Sequence, residues 1–189
     1  MMKYSVLLAA LLAALPIAAS AEDLKNFIRF DGVYYAFRNT PYDKYGFNLA
    51  IGREFAPGLK IDLRQEFRAE EETKNIGNRL ESGLTYDYKF DSVTLSVRGA
   101  LGERFVSGNN WEYYSVAPEL IFPVANDIKF KAGYRYRNAF NTDKNDETHT
   151  YKGTVEYAYS QTSTIGATLG YSLGDAQFVF GGINLGYKF

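Results

Sequence analysis

Leu59-Lys60-Ile61-Asp62-Leu63-Arg64-Gln65-Glu66-Phe67-Arg68-Ala69 alternates apolar and charged residues along nearly its whole length. Leu59, Ile61, Leu63, Phe67 and Ala69 fall on one parity, and Lys60, Asp62, Arg64, Glu66 and Arg68 on the other. A period of two is a β-strand with one apolar face. Five consecutive charged positions opposite that face are hard to fit to a soluble sandwich. They fit a strand with one face toward lipid and the other toward a polar interior.

The same alternation runs outward in both directions. It predicts strands over about 28–38, 45–55, 59–69, 78–90, 93–104, 111–122, 128–138, 150–159, 164–172 and 178–189. Each is long enough to cross a bilayer when tilted. Connections after the even-numbered strands are short, with Ala56-Pro57-Gly58 and Asp91-Ser92 the tightest. Those after the odd-numbered strands are longer and more polar. That asymmetry is the mark of short periplasmic turns and longer outer loops. The expected fold is all-β: a transmembrane, antiparallel, up-and-down β-barrel of about ten strands, with twelve the alternative. Aromatic residues should form two girdles at the headgroup levels, with Phe55, Phe90, Phe122, Phe130, Tyr159 and Phe189 on the periplasmic side and Tyr34, Tyr45, Phe67, Tyr134, Tyr151 and Tyr171 on the outer side.

Residues 1–21 read as a separate object. Lys3, the apolar run from Val6 to Ala14 and the small residues Ala19-Ser20-Ala21 are the parts of a cleaved secretory signal peptide, leaving 22–189 as the barrel. The 189-residue chain has no cysteine, so an exported domain of this kind must be held by its own hydrogen-bond ladders. With 16 Tyr and 14 Phe it is rich in aromatics, yet its mean hydropathy is below zero. A helical membrane protein would be far more apolar, whereas a barrel exposes only every second residue to lipid. A net charge of −1 gives no argument for nucleic acid as a partner.

On the inward parity, basic residues outnumber acidic ones. Arg64, Arg68, Arg79, Arg98, Arg104, Arg135 and Arg137, with Glu66 and Glu81, are the candidate pore-lining residues. Arg64, Glu66 and Arg68 are expected to pair with Arg79 and Glu81 across the hairpin ladder. Ten strands about 4.8 Å apart and tilted about 40° close at a backbone radius of roughly 10 Å, so long side chains decide whether the lumen is open. Inward glycines such as Gly83, Gly102, Gly133, Gly170 and Gly182 are expected to leave space for an open pore, against the reading of a lumen plugged by ion pairs.

Asp62-Leu63-Arg64-Gln65-Glu66-Phe67-Arg68 and Ala132-Gly133-Tyr134-Arg135-Tyr136-Arg137 resemble strands of the small oligogalacturonate-specific porin family. The resemblance implies a monomeric, arginine-lined channel selective for acidic oligosaccharides; the family differs in having twelve strands in a longer chain. The resulting expectation is an outer-membrane channel for passive diffusion of small, preferably anionic solutes, with a non-conducting structural or adhesive barrel as the alternative. Outer-membrane lipids and the assembly machinery are the other expected partners. The machinery would read a last strand ending in Phe189, which parity places outward.

Enzymatic chemistry is not expected. The one histidine, His149, stands at the base of the longest predicted loop and reads as solvated, without the His-x-Ser pattern of lipid A deacylases. Asp143, Asn145, Asp146 and Glu147 lack the glycine and distal glutamate of an EF-hand, so they read as a solvated acidic loop rather than a metal site. No cofactor motif occurs. On the register alone, an arginine at Leu95, facing lipid with Leu63, Val97 and Leu169, should cost more stability than a leucine at Arg98.

Overall fold

The computed structural model describes residues 25–37, 44–70, 76–105, 110–144 and 146–189. The expected signal peptide at 1–21 lies outside the described residues, as do the loop segments 71–75 and 106–109 and the expected first-strand end at Arg38.

Ten strands follow in order: β1 Lys25–Phe37, β2 Lys44–Ala56, β3 Leu59–Glu70, β4 Ile76–Phe90, β5 Val93–Phe105, β6 Trp111–Pro123, β7 Ile128–Ala139, β8 Thr148–Ala158, β9 Ser163–Gly174 and β10 Phe178–Lys188. Each pairs antiparallel with its neighbours in sequence, and β1 pairs with β10, from Phe27 opposite Lys188 to Phe37 opposite Phe178. The sheet therefore closes on itself with ten strands, and the twelve-strand alternative falls away. Closure leaves no strand edge, the condition for crossing lipid with strands.

Local chemistry sets the strand ends. Gly58 takes a positive φ of 79° in the β2–β3 turn, where a Cβ would stand 2.5 Å from the Asp87 carbonyl oxygen. Asp91 takes φ 50° in the two-residue β4–β5 turn, a conformation aspartate tolerates better than most residues. A bulge at Phe55, between Glu54 and Ala56, adjusts the end of β2. In β6 the ladder to β7 stops at Val116 and resumes at Glu119, because Pro118 has no N–H to give.

The two faces are opposite in character to those of a soluble protein. Leu63, Leu84, Val97, Leu101, Ile165, Leu169 and Ile183 are exposed on the outside, Leu169 by 73%. Asp62, Arg79, Glu81, Arg98, Ser115, Arg137, Thr154 and Asn184 are buried inside. The register read from β3 therefore holds, since a one-residue slip would exchange these sets. Outer-side aromatics meet as expected: Tyr34 with Tyr45 at 5.3 Å, Tyr134 with Tyr151 at 5.1 Å, and Tyr151 with Tyr171 at 5.0 Å between ring centroids. On the periplasmic side Phe122 stacks on Phe130 at 6.3 Å and Tyr187 on Phe189 at 5.9 Å.

Candidate functional site

The inner face of β3 to β7 carries most of the charge. At mid-depth, Arg98 of β5 donates from Nε to Asp62 Oδ2 (2.9 Å) and from Nη2 to Asp62 Oδ1 (2.7 Å), and from Nη1 to Glu81 of β4. Arg64 of β3 adds a bond from Nε to Asp62 Oδ1 at 2.8 Å. Arg135 of β7 reaches Glu81 Oε2 at 2.5 Å. Glu81 is thus shared between strands one and three places away in the barrel. Toward the outer end, Arg68 donates to Glu66, which also accepts from Arg79 Nη1 at 3.3 Å. Arg104 and Arg137 both donate to Asp146 Oδ1, at 3.1 and 2.8 Å. Nearer the periplasmic end, ammonium groups replace guanidinium groups: Lys60 with Asp87, Lys131 with Glu156 and Lys152 with Glu119, at 2.5, 2.6 and 2.7 Å.

The sequence-predicted set is thereby brought together on the inside, with its pairing corrected. Arg64 and Glu81 face each other across the β3–β4 ladder, yet Arg64 bonds its own strand's Asp62, while Glu81 is taken by Arg98 and Arg135. Of the expected hairpin pairs, the side-chain bond found is Arg79 to Glu66.

Two further expectations are overturned. The first concerns glycine. A Cβ on Gly83 would stand 2.3 Å from Arg98 Nη2, and one on Gly102 would stand 2.5 Å from Tyr113 Cζ. These glycines let a long side chain lie flat against the wall, so the space they leave is filled. The second concerns Asp146, which is not a solvated loop carboxylate. Its side chain is 1% exposed and faces inward, because it continues the parity of Thr148, Thr150 and Lys152 on β8. Hydrogen bonds between Glu147 and Asp175 extend the hairpin to that point. Parity counted back from β8 would have found it.

Apart from Arg29 and Asp31 on β1 and Lys152 and Glu156 on β8, the remaining wall is largely neutral. Thr154 and Thr168 hydroxyls meet at 2.8 Å, Thr150 and Ser172 at 3.2 Å, and Asn184 Nδ2 donates to Thr168 at 3.2 Å. At the outer end of this wall Tyr35, Phe37, Phe178 and Phe180 cluster, with the Arg68 guanidinium 4.3 Å from the Tyr35 ring centroid. Between the two walls lies a cavity of about 180 Å³, lined among others by Arg29, Arg64, Arg135, Lys152, Val33 and Thr168. Arg64, at 43% side-chain exposure, is the most open of the paired inner-face arginines.

His149 stands on the outer surface, in β8 rather than in a loop. Its Nδ1 is 2.8 Å from Tyr134 Oη and its Nε2 is 3.2 Å from Glu147 Oε1, so both ring nitrogens are engaged within the outer girdle. Phe189 is exposed on the lipid-facing parity, and its backbone exchanges hydrogen bonds with Asn26 of β1 at 2.9 and 3.0 Å, closing the seam of the barrel. Among the described residues no group of three His, Cys, Asp or Glu side chains could hold a metal ion.

No protein-family model and no curated protein matches the sequence. Solved structures do match the fold. The chain is similar to the β domain of the Bordetella autotransporter Brka, with 9% identity and a TM-score of 0.56, covering 88% of this chain and 98% of that one. It is similar to the NanC porin at 10% identity and a TM-score of 0.55, over 86% and 100% of the two chains. The KdgM porin in complex with disordered oligogalacturonate matches at 18% identity and a TM-score of 0.52, over 85% and 99%. Apolar belt, aromatic girdles, closed ladder and these likenesses define the class: a multi-pass β-barrel of the Gram-negative outer membrane. The porin resemblance read from β3 and β7 accords with this shared architecture.

Proposed function

We propose that the barrel is a narrow channel for passive diffusion of small, preferably anionic solutes, and that it is not an enzyme. One observation carries the reading: the cavity runs between half-open guanidinium groups on one side and hydroxyl and amide groups on the other. Fixed positive charge inside low-dielectric walls lowers the energy of an entering anion and raises that of a cation. The planar guanidinium fork suits carboxylates, and the Thr and Asn side chains opposite suit hydroxyls. A carboxylate-bearing sugar presents both, which is the chemistry of the oligogalacturonate held by the KdgM porin. A volume of about 180 Å³ is below the 300–1,000 Å³ of typical ligand pockets, so solutes pass end-on and singly. The chain acts as a monomer, is exported by residues 1–21, and is inserted by machinery that reads the strand ending in Phe189.

A second reading, a non-conducting structural barrel, is favoured by the side chains that fill the glycine positions. Reversal potentials in a planar bilayer under a salt gradient separate the two. The channel reading expects anion preference, reduced by Arg64→Gln and screened at high salt. Cation preference would remove the acidic solute, and no conductance would leave the structural barrel.

A further inference from the structure

Asp146 is an anion that the chain supplies to its own arginines. Arg104 and Arg137 both donate to its Oδ1, and the carboxylate is almost wholly buried. The surroundings are built for such a group. Arg104 lies over the Trp111 ring at 4.6 Å, and Arg137 lies 5.5 Å from the Tyr113 ring centroid. Two guanidinium groups, each backed by an aromatic ring, thus hold one carboxylate. The arrangement has hydrogen-bonding capacity left over. Among the described residues, the buried Arg137 Nε, Trp111 Nε1 and Asp146 Oδ2 have no hydrogen-bond partner. An acceptor on the carboxylate, a donor on one arginine bound to it and a donor on the ring beneath the other therefore stand unused.

Electrostatics explains why an internal anion is needed. Toward the outer end the inner face carries Arg68, Arg79, Arg104, Arg135 and Arg137, while Glu66 and Glu81 are committed to Arg68, Arg79, Arg98 and Arg135. Without Asp146, Arg104 and Arg137 would be desolvated with no carboxylate bonded to them, which is costly. Such a pair is stable in an empty barrel only if a carboxylate is always at hand.

We infer that Arg104, Arg137 and Trp111 form a carboxylate-binding site whose resident occupant is Asp146, and that a carboxylate from outside binds there by taking its place. The site stands on this geometry alone. Its use by a passing solute rests on the channel reading proposed above. Exchange needs Arg104, which is half-buried and long, to swing from one carboxylate to another. The unused donors at Arg137 Nε and Trp111 Nε1 then give the newcomer bonds that Asp146 leaves unmade.

Trp111 is the one tryptophan in the chain, so its fluorescence reports on the site directly. The experiment uses the full barrel refolded in lipid vesicles, titrated with sodium acetate against sodium chloride at equal ionic strength. In Asp146→Ala the urea midpoint should fall and be restored saturably by acetate, but not by chloride. Trp111 emission should shift over the same acetate range. Wild type should need acetate about tenfold or more above that range, because the tethered carboxylate competes at millimolar or higher effective concentration. If Asp146→Ala does not fold, Asp146→Asn keeps the shape without the charge and is read by Trp111 emission. Asp143→Ala, an exposed carboxylate of the same connection, should behave as wild type. Emission and urea midpoint indifferent to acetate in both Asp146 variants would overturn the site, as would an equal acetate response in wild type. None of these readings depends on conductance, so failure of the site and failure of the channel are distinguishable.

Discussion

The inner face of this barrel is built in two ways. From β3 to β7 it is made of long charged side chains bonded across several strands, as Arg98 joins Asp62 to Glu81 and Arg135 reaches Glu81 from three strands away. From β8 to β10, apart from the Lys152 and Glu156 ion pairs and the Phe178 and Phe180 rings, it is made of short groups: Thr154 on Thr168, Thr150 on Ser172, Asn184 on Thr168. Both walls satisfy buried polar atoms, but they differ in what the loss of one member does. Removing a hydroxyl from the neutral wall subtracts a single bond between neutral groups. Removing an arginine from the ionic wall strands carboxylates that have already given up water.

The largest difference should appear at Arg98. Arg98→Leu leaves Asp62 with Arg64 as its one bonded cation and Glu81 with Arg135 and the Ser115 hydroxyl, and should cost about 3–5 kcal/mol in urea titrations from lipid vesicles. The register by itself places this substitution below an arginine at Leu95; the network reverses that order. A cost under about 1 kcal/mol would show that the ionic wall is held by its backbone ladder and that the comparison is empty.

Next in size is the outside of the neutral wall. Among the described residues Leu169 is the most exposed large apolar side chain, and it lies near the middle of β9. Leu169→Arg should cost about 2–4 kcal/mol if it sits at the bilayer midplane, and Leu95→Arg on β5 a similar amount. Lipid meets both walls alike, so a large gap between these two variants would mean that the walls differ on the outside as well as the inside.

The smallest effect belongs to the inside of the neutral wall. Thr154→Val removes one hydroxyl and leaves the Thr168 hydroxyl with Asn184 Nδ2. A loss of about 1 kcal/mol in the same titration is expected. A loss as large as that of Arg98→Leu would make the two walls energetically equivalent.

These contrasts also mark what the sequence can and cannot reveal. Strand identity and facing were legible because they are local: the alternation in Leu59–Ala69 needs only a period of two, and Pro57-Gly58 and Asp91-Ser92 name their own turns. The assignment of charges to the inside follows from the same parity. Partner choice was not legible, because Arg135 and Glu81 meet only when ten strands close and the walls curve toward each other. Glycine misled for the same reason: Gly83 looks like open space until Arg98, from the neighbouring strand, lies over it. Asp146 was hidden by its composition, standing among Asp143, Asn145 and Glu147 in what reads as an acidic loop, although its parity with Thr148 was visible.

In the proposed channel, solutes travel between the two walls and feel the arginines while doing so. The chain has no cysteine, so a single introduced thiol reports without background. Val33 of β1 lines the cavity, and Val33→Cys changes little in volume. The direct measurement is the rate at which this thiol, in the refolded barrel in lipid vesicles, reacts with two methanethiosulfonates of similar size, one bearing a sulfonate and the other a quaternary ammonium. Reaction with the sulfonate should be faster, by a margin that shrinks as salt is raised and when Arg64→Gln is added. Faster reaction with the ammonium reagent, or no reaction with either while the barrel is folded, would contradict the proposed channel.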